Sequence, residues 1–284
     1  MLPSDDSSSR GSSIAEGMTE AKSRKAPSLL SRAWGHLNQD VRASGLAELE
    51  LLILTFCIGL QDAVSFPDFH CFASNQTGNT VFLIIAIVLP EANGEMFITA
   101  NIGVALGFFL LSAMLTGQLG HRVGPRRRGW LILCNLIQTC LVFAAAALQH
   151  IQHRQNSLPP EDKTNLATLL AIGLLASAAG GQVVQSRALR MTEITTAMAT
   201  AAWVDLVIDP GLLAPPTKNR PRNRRLGFLA ALLLGTLSGA FVFKRLGSPA
   251  ALMVSAAGKA LVAVMYLFNP AEREKEKEGV QCAV

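Results

Sequence analysis

Between Gly59 and Asn79 the chain reads GLQDAVSFPDFHCFASNQTGN, a run crowded with groups that can hold a proton, a cation or a polar solute. Asp62 has the chemistry of a proton or cation carrier, or of a partner to a buried cation. The bland alternative is a carboxylate that caps a helix end near the headgroups. Gln61, Asn75, Gln76, Thr77 and Asn79 supply amide and hydroxyl groups suited to a small polar solute, and Gly78 permits close backbone approach. Hydrogen bonding between helices is the structural reading of the same residues. A counterpart set, Gln182, Gln185, Thr195, Thr196 and Thr200, occurs in the second half of the chain. Lys259 lies near the middle of an apolar run, where a lysine costs about 3 kcal/mol or more unless paired or hydrated. Asp62 is its expected partner, and Asp205 the second candidate.

Lipid tolerates such groups only where they face protein or water, so the elements around them decide what they can do. Half of the 284 residues are hydrophobic, and the apolar ones are grouped. No charge occurs in 96–120, 129–148, 166–186 or 226–243; 51–66 carries only Asp62 and 250–268 only Lys259. About 20 apolar residues cross a hydrocarbon core, so these runs predict six transmembrane helices, the first at about 47–66. Two shorter elements follow the first span of each half. One covers about 74–89 and stops at Pro90; the other covers about 192–208 and is interrupted by Asp205 and Asp209.

Two short sequences in the opening stretch carry a resemblance: Asp62-Ala63-Val64-Ser65-Phe66, then Ser74-Asn75-Gln76-Thr77-Gly78-Asn79. Together they resemble the signature of the YoaK-like family, multi-pass membrane proteins filed as domain of unknown function family 1275, over roughly residues 46–268. The resemblance implies a membrane protein with repeated halves and implies no substrate. Family members tend to have Asn after the second-half Gln and Gly after the last Thr. Here those positions are Val183 and Ala201, a departure that weakens the second half's share in a site.

The order span, short element, span, span recurs, with Gly103-x-x-x-Gly107 and Gly235-x-x-x-Gly239 in corresponding spans. That order predicts a first membrane repeat at 46–148, a linker loop at 149–165 and a second repeat at 166–268. The glycine pairs read as helix-packing motifs. Residues 1–45 are expected to be a polar, disordered tail; Leu30, Trp34, Leu37 and Val41 in it fall at helical spacing, as in an interfacial helix. Residues 269–284 form a polar C-terminal tail. No apolar signal run precedes the first span, which is expected to act as its own signal.

Charge sets the topology. Arg32 and Arg42, Arg122 with Arg126–Arg128, and Lys218–Arg225 fall on one side only if the two short elements enter and return. The positive-inside rule then gives six full spans, two partial ones and both termini in the cytoplasm, with Lys244 and Arg245 the exception. Three spans per half would make the repeat inverted, an architecture of secondary transporters. The net charge of +5 is thus loop charge rather than a nucleic-acid footprint. The five cysteines show no CxxC pair, which argues against a disulfide framework or zinc site. No HExxH, GxSxG or paired catalytic carboxylates occur in the spans, so a non-enzyme without cofactor is expected. The fold expected is an all-α integral membrane protein of six transmembrane helices plus two short or re-entrant ones. The function expected is a transporter-like permease for a small solute, in partnership with the bilayer; the alternative is a non-transporting membrane scaffold.

Overall fold

The computed structural model describes residues 28–94, 96–155 and 165–272. Residues 1–27 of the tail expected at 1–45, part of the linker and residues 273–284 lie outside the described residues; 28–45 are ordered instead of forming a disordered tail, with a helix at Leu29–Leu37. The first helix, α1 (Leu29–Leu37), exposes Leu29, Leu30 and Trp34. Val41 lies beyond it and pairs with Ala271 in a β-bridge. The remaining helices are α2 (Gly45–Phe69), α3 (Gln76–Val88), α4 (Thr99–Val123), α5 (Arg128–Gln155), α6 (Leu166–Ala188), α7 (Ala199–Val207), α8 (Arg220–Leu246) and α9 (Ser248–Met265). Six of these, α2, α4, α5, α6, α8 and α9, are long and apolar enough to cross a membrane. The chain is an all-α multi-pass membrane protein.

Local chemistry explains the helix limits. Ser44, Asn165 and Asn219 each accept from a backbone N–H in the first turn of α2, α6 and α8. The basic run expected as a loop before the fifth span lies mostly on α8. Asn219 caps that helix, proline follows in its first turn, and arginine is a good helix former. Similarly α5 continues to Gln155, so the linker between the halves is shorter than expected.

Neither short helix can cross. At 1.5 Å per residue α3 is about 20 Å long and α7 about 14 Å, against a hydrocarbon core of about 30 Å. Hydrogen bonds show that the chain returns around each. Asn101 Nδ2, at the start of α4, donates to the carbonyl of Phe69 at the end of α2, 2.8 Å away. Arg224, near the start of α8, lies 3.4 Å from Glu193 just after α6, and 2.6 Å from Glu48 at the start of α2. Helices α2, α5 and α8 therefore run one way and α4, α6 and α9 the other. Arg126–Arg128, Arg187, Arg190 and the arginines of the first turns of α8, Arg220 to Arg225, gather at one end, while Lys244 and Arg245 lie at the opposite end of α8. The backbone joins there too, from Val41 N to Arg126 O (2.9 Å) and from Arg42 N to Pro270 O (3.0 Å).

Helix α2 packs on α8, α4 on α6, α5 on both α6 and α9, and α2 on α9. Two close approaches need glycine. A Cβ on Gly59 would strike the Leu232 carbonyl, and one on Gly180 would strike the Phe109 carbonyl. Gly235 and Gly239 likewise lie against the backbone of Phe56 and Leu60. Gly103 and Gly107 do not pack as expected: a Cβ on either would meet nothing within 4 Å. The residue of α4 that does the work of Gly235 is Ser112, whose hydroxyl donates to Ser177 O at 2.6 Å.

The core has two apolar layers. One, toward the Phe69 end, contains Val64, Ile102, Val142, Ile172 and Leu252. The other, toward the basic end, contains Leu51, Leu131, Leu189, Phe228 and Val262. Between them lies a buried polar layer.

Candidate functional site

The polar layer is built from one or two residues of each of four spans, α2, α5, α6 and α9. Lys259 of α9 is fully buried; its Nζ donates to Gln138 Oε1 at 3.2 Å and, by a shorter bond, to Gln182 Oε1. Gln182 Nε2 continues to Leu54 O (3.0 Å), and Gln138 Nε2 to Gln185 Oε1 (2.9 Å). One turn along α9, Ser255 accepts from Gln61 Nε2 at 2.8 Å. Gln61 Oε1 and Asn135 Oδ1 are buried without a hydrogen-bond partner. The expected Asp62–Lys259 pair is not formed. Glutamine carbonyls surround the ammonium, while Asp62 turns to a different face of α2. Nor does Asp205 meet Lys259; it lies 3.7 Å from Arg225.

Asp62 instead anchors the re-entrant segment. Pro67 sits in the last turn of α2, and His70 ends the helix in a left-handed conformation (φ 52°). The chain then folds back along α2. Asp62 accepts from the Ser74 hydroxyl at 2.5 Å and from its backbone N–H at 3.3 Å, and Ser65 Oγ accepts from Ala73 N. Asp62 is seven residues before Phe69, so the segment descends about 10 Å below the helix end. Asn79 secures the turn: its Oδ1 accepts from Phe72 N and its Nδ2 donates to Phe72 O. Asn79 is thus a structural residue, as is Gln76 where its Nε2 donates to Ala73 O. Gly78 stacks under Phe72, whose ring a Cβ would meet at 3.2 Å.

The second half makes a similar return. Arg190 follows α6 in the left-handed region (φ 57°), and the chain comes back until Met198 Sδ lies 3.5 Å from Arg187 Nη2. Helix α7 then starts at Ala199 with no side-chain cap. Its first N–H groups therefore keep their hydrogen-bonding capacity.

Both returns end in one cleft of about 930 Å³. Asp62, Asn75, Gln76, Thr77 and Thr200 all line it. Arg187 and Asp205 line it too; in the sequence Asp205 stands out only as an interruption of the second short element and as a candidate partner for Lys259. Phe109, Val183 and Leu232 provide apolar walls. Gln61, Asn79, Gln182, Thr196 and Lys259 are buried and do not line it. Thr196 is fully buried with φ 61° and an unpartnered hydroxyl, strain that a β-branched residue rarely carries. Gln138 and Asn135 were missed. Their signal was two amide side chains, three residues apart, in an otherwise apolar span.

A comparison with protein families bears directly on this arrangement. The family described as Protein of unknown function (DUF1275) matches residues 51–265, from the first turns of α2 to the end of α9. The chain belongs to the DUF1275 family. The match takes in the cleft, both short helices and the polar layer. Neither the curated proteins nor the solved structures give a match. For this DUF1275 protein the chemistry of the site rests on its own residues. The described residues contain no cluster of His, Cys, Asp and Glu that could hold a metal ion.

Proposed function

We propose that this protein is a permease for a small polar solute, with the cleft as its solute site. One observation carries the reading: two half-length helices, from opposite halves of the chain, direct their N-terminal ends into a single cleft within the membrane bundle. Paired broken helices of this sort form the sites of secondary transporters with inverted repeats. Pairwise packing supports such a repeat. Exchanging α2 with α6, α3 with α7, α4 with α8 and α5 with α9 turns each main helix contact into another. Residue by residue, Gly59 on Leu232 corresponds to Gly180 on Phe109, and Phe56 on Gly235 to Ser177 on Ser112. The halves run in opposite directions, so the repeat is inverted. With the basic end in the cytoplasm, the arrangement satisfies the positive-inside rule.

The cleft offers a carboxylate, amides, hydroxyls and a guanidinium, groups that orient a polar solute without covalent chemistry. The polar layer beside it gives the two bundle halves a hydrogen-bonded surface on which to rearrange. The test is uptake of a defined metabolite mixture into vesicles holding the full-length protein, with and without a proton gradient. Thr77→Cys and Thr200→Cys should each react with a water-soluble thiol reagent, and the reaction should block uptake. A bundle in which neither cysteine reacts, and no metabolite enters, is a sealed scaffold rather than a carrier.

A further inference from the structure

A second site lies on the other face of the α4–α6 pair. Helices α4 and α5 scarcely touch, although α8 and α9, the corresponding pair, do pack together. The gap is a groove of about 360 Å³ walled by Leu111, Leu115, Ile137 and Leu141, with Gln138 at its floor. At the basic end it adjoins a second cavity of about 260 Å³, and Thr116 and Trp130 line both. Arg187 and the imidazole of His121 stand in this second cavity. The groove and cavity together follow α4 from Phe108 to His121, about 20 Å along the helix.

The two ends differ in chemistry. The long part is apolar and lies at hydrocarbon depth. The short part lies at the helix ends, where headgroups begin. Arg187 makes no ion pair among the described residues; it lines both this cavity and the solute cleft, and its guanidinium reaches the sulfur of Met198, a weak acceptor. His121 is exposed at the end of α4, beside Arg122. A tryptophan indole marks the junction, the usual depth of that residue in a bilayer. Gly117 leaves room in the head cavity: a Cβ there would reach no atom nearer than 3.9 Å.

We propose that this groove binds an anionic phospholipid, with one acyl chain between α4 and α5 and the phosphate at Arg187 and His121. Apolar length with a free cation at one end fits an amphipathic anion. A basic pocket between spans at the cytoplasmic boundary is a site where such headgroups collect. A second copy of the chain would leave Arg187 without a counter-charge. The site requires only the bundle and the basic end; Arg187 is the one residue it shares with the solute cleft, and Gly117→Leu tests the site without touching that cleft.

The test uses the full-length protein in detergent, with retained lipid measured by native mass spectrometry and thermal unfolding followed in parallel. Phosphatidylglycerol should be retained and should raise the unfolding temperature, whereas phosphatidylcholine should do neither. Glycerol phosphate, the headgroup chemistry without chains, should have no effect. Arg187→Gln should weaken phosphatidylglycerol retention about five-fold, the factor expected for loss of one cation at a headgroup. Gly117→Leu should fill the head cavity and abolish retention without unfolding the bundle. Equal retention of the two phospholipids overturns the proposal, as does wild-type retention in both variants. A response to glycerol phosphate alone makes the site a phosphate site and overturns the lipid proposal.

Discussion

At the residue scale, Asp62 and Lys259 answer to different neighbours. Asp62 is coupled to Ser74 across the first turn back into the membrane. Removing the carboxylate by Asp62→Ala should cost about 1.5–3 kcal/mol, the range for a hydrogen bond to a charged group. Ser74→Ala should be smaller, and the double variant should cost less than the sum. Lys259 is coupled to Gln182. Lys259→Met would leave buried acceptors unmatched, at about 1–3 kcal/mol for each orphaned group. Adding Gln182→Leu should recover part of that loss. By contrast, Asp62→Ala and Lys259→Met should combine additively, because no bond joins the two residues. Unfolding midpoints in detergent measure all of these; rescue of one by the other would restore the Asp62–Lys259 pairing that the hydrogen bonds argue against.

At the element scale, the two glycine pairs should behave oppositely. Gly235→Ala pushes a methyl into the backbone at Phe56, and overpacking of this kind costs about 1–3 kcal/mol, more when backbone cannot move. Gly103→Ala and Gly107→Ala meet open space and should stabilise α4 by about 0.5–1 kcal/mol each, through helix propensity alone. Equal losses at both pairs would mean that α4 makes a contact through Gly103 and Gly107 that the single chain does not contain. The short helices are held by their turns rather than by their own length. Ser65→Ala, which removes the acceptor for Ala73 N, should therefore expose the α3 segment to proteolysis before the six spans unfold.

At the scale of the whole molecule, the basic residues of distant loops share one end because both short helices return. Tags inserted beside Arg126 and beside Lys218 should be protected together in intact cells, while a tag at Gly94 should be accessible. With the N-terminal flank inside, labelling of either basic loop from outside would require one of the short helices to cross. That outcome conflicts with the Asn101–Phe69 and Arg224–Glu193 contacts.

Long uncharged runs reveal spanning helices because hydrocarbon excludes charge, a property of each segment alone. For that reason the six spans, the two short elements and the polar opening stretch were legible in the sequence. So were Asp62, Asn75, Gln76, Thr77 and Thr200, whose polarity in an apolar context needs no partner to be noticed. Partnership is another matter. Lys259 is matched by amides on α5 and α6, 121 and 77 residues away, and no local pattern encodes such distances. Identical glycine spacings in α4 and α8 proved unequal because a GxxxG motif matters only when a backbone lies against it. Asn79 and Gln76 likewise took their roles from a turn whose course depends on Asp62. Local composition decides what can enter the membrane; packing between spans decides which polar groups face one another, which face the cleft and which face lipid.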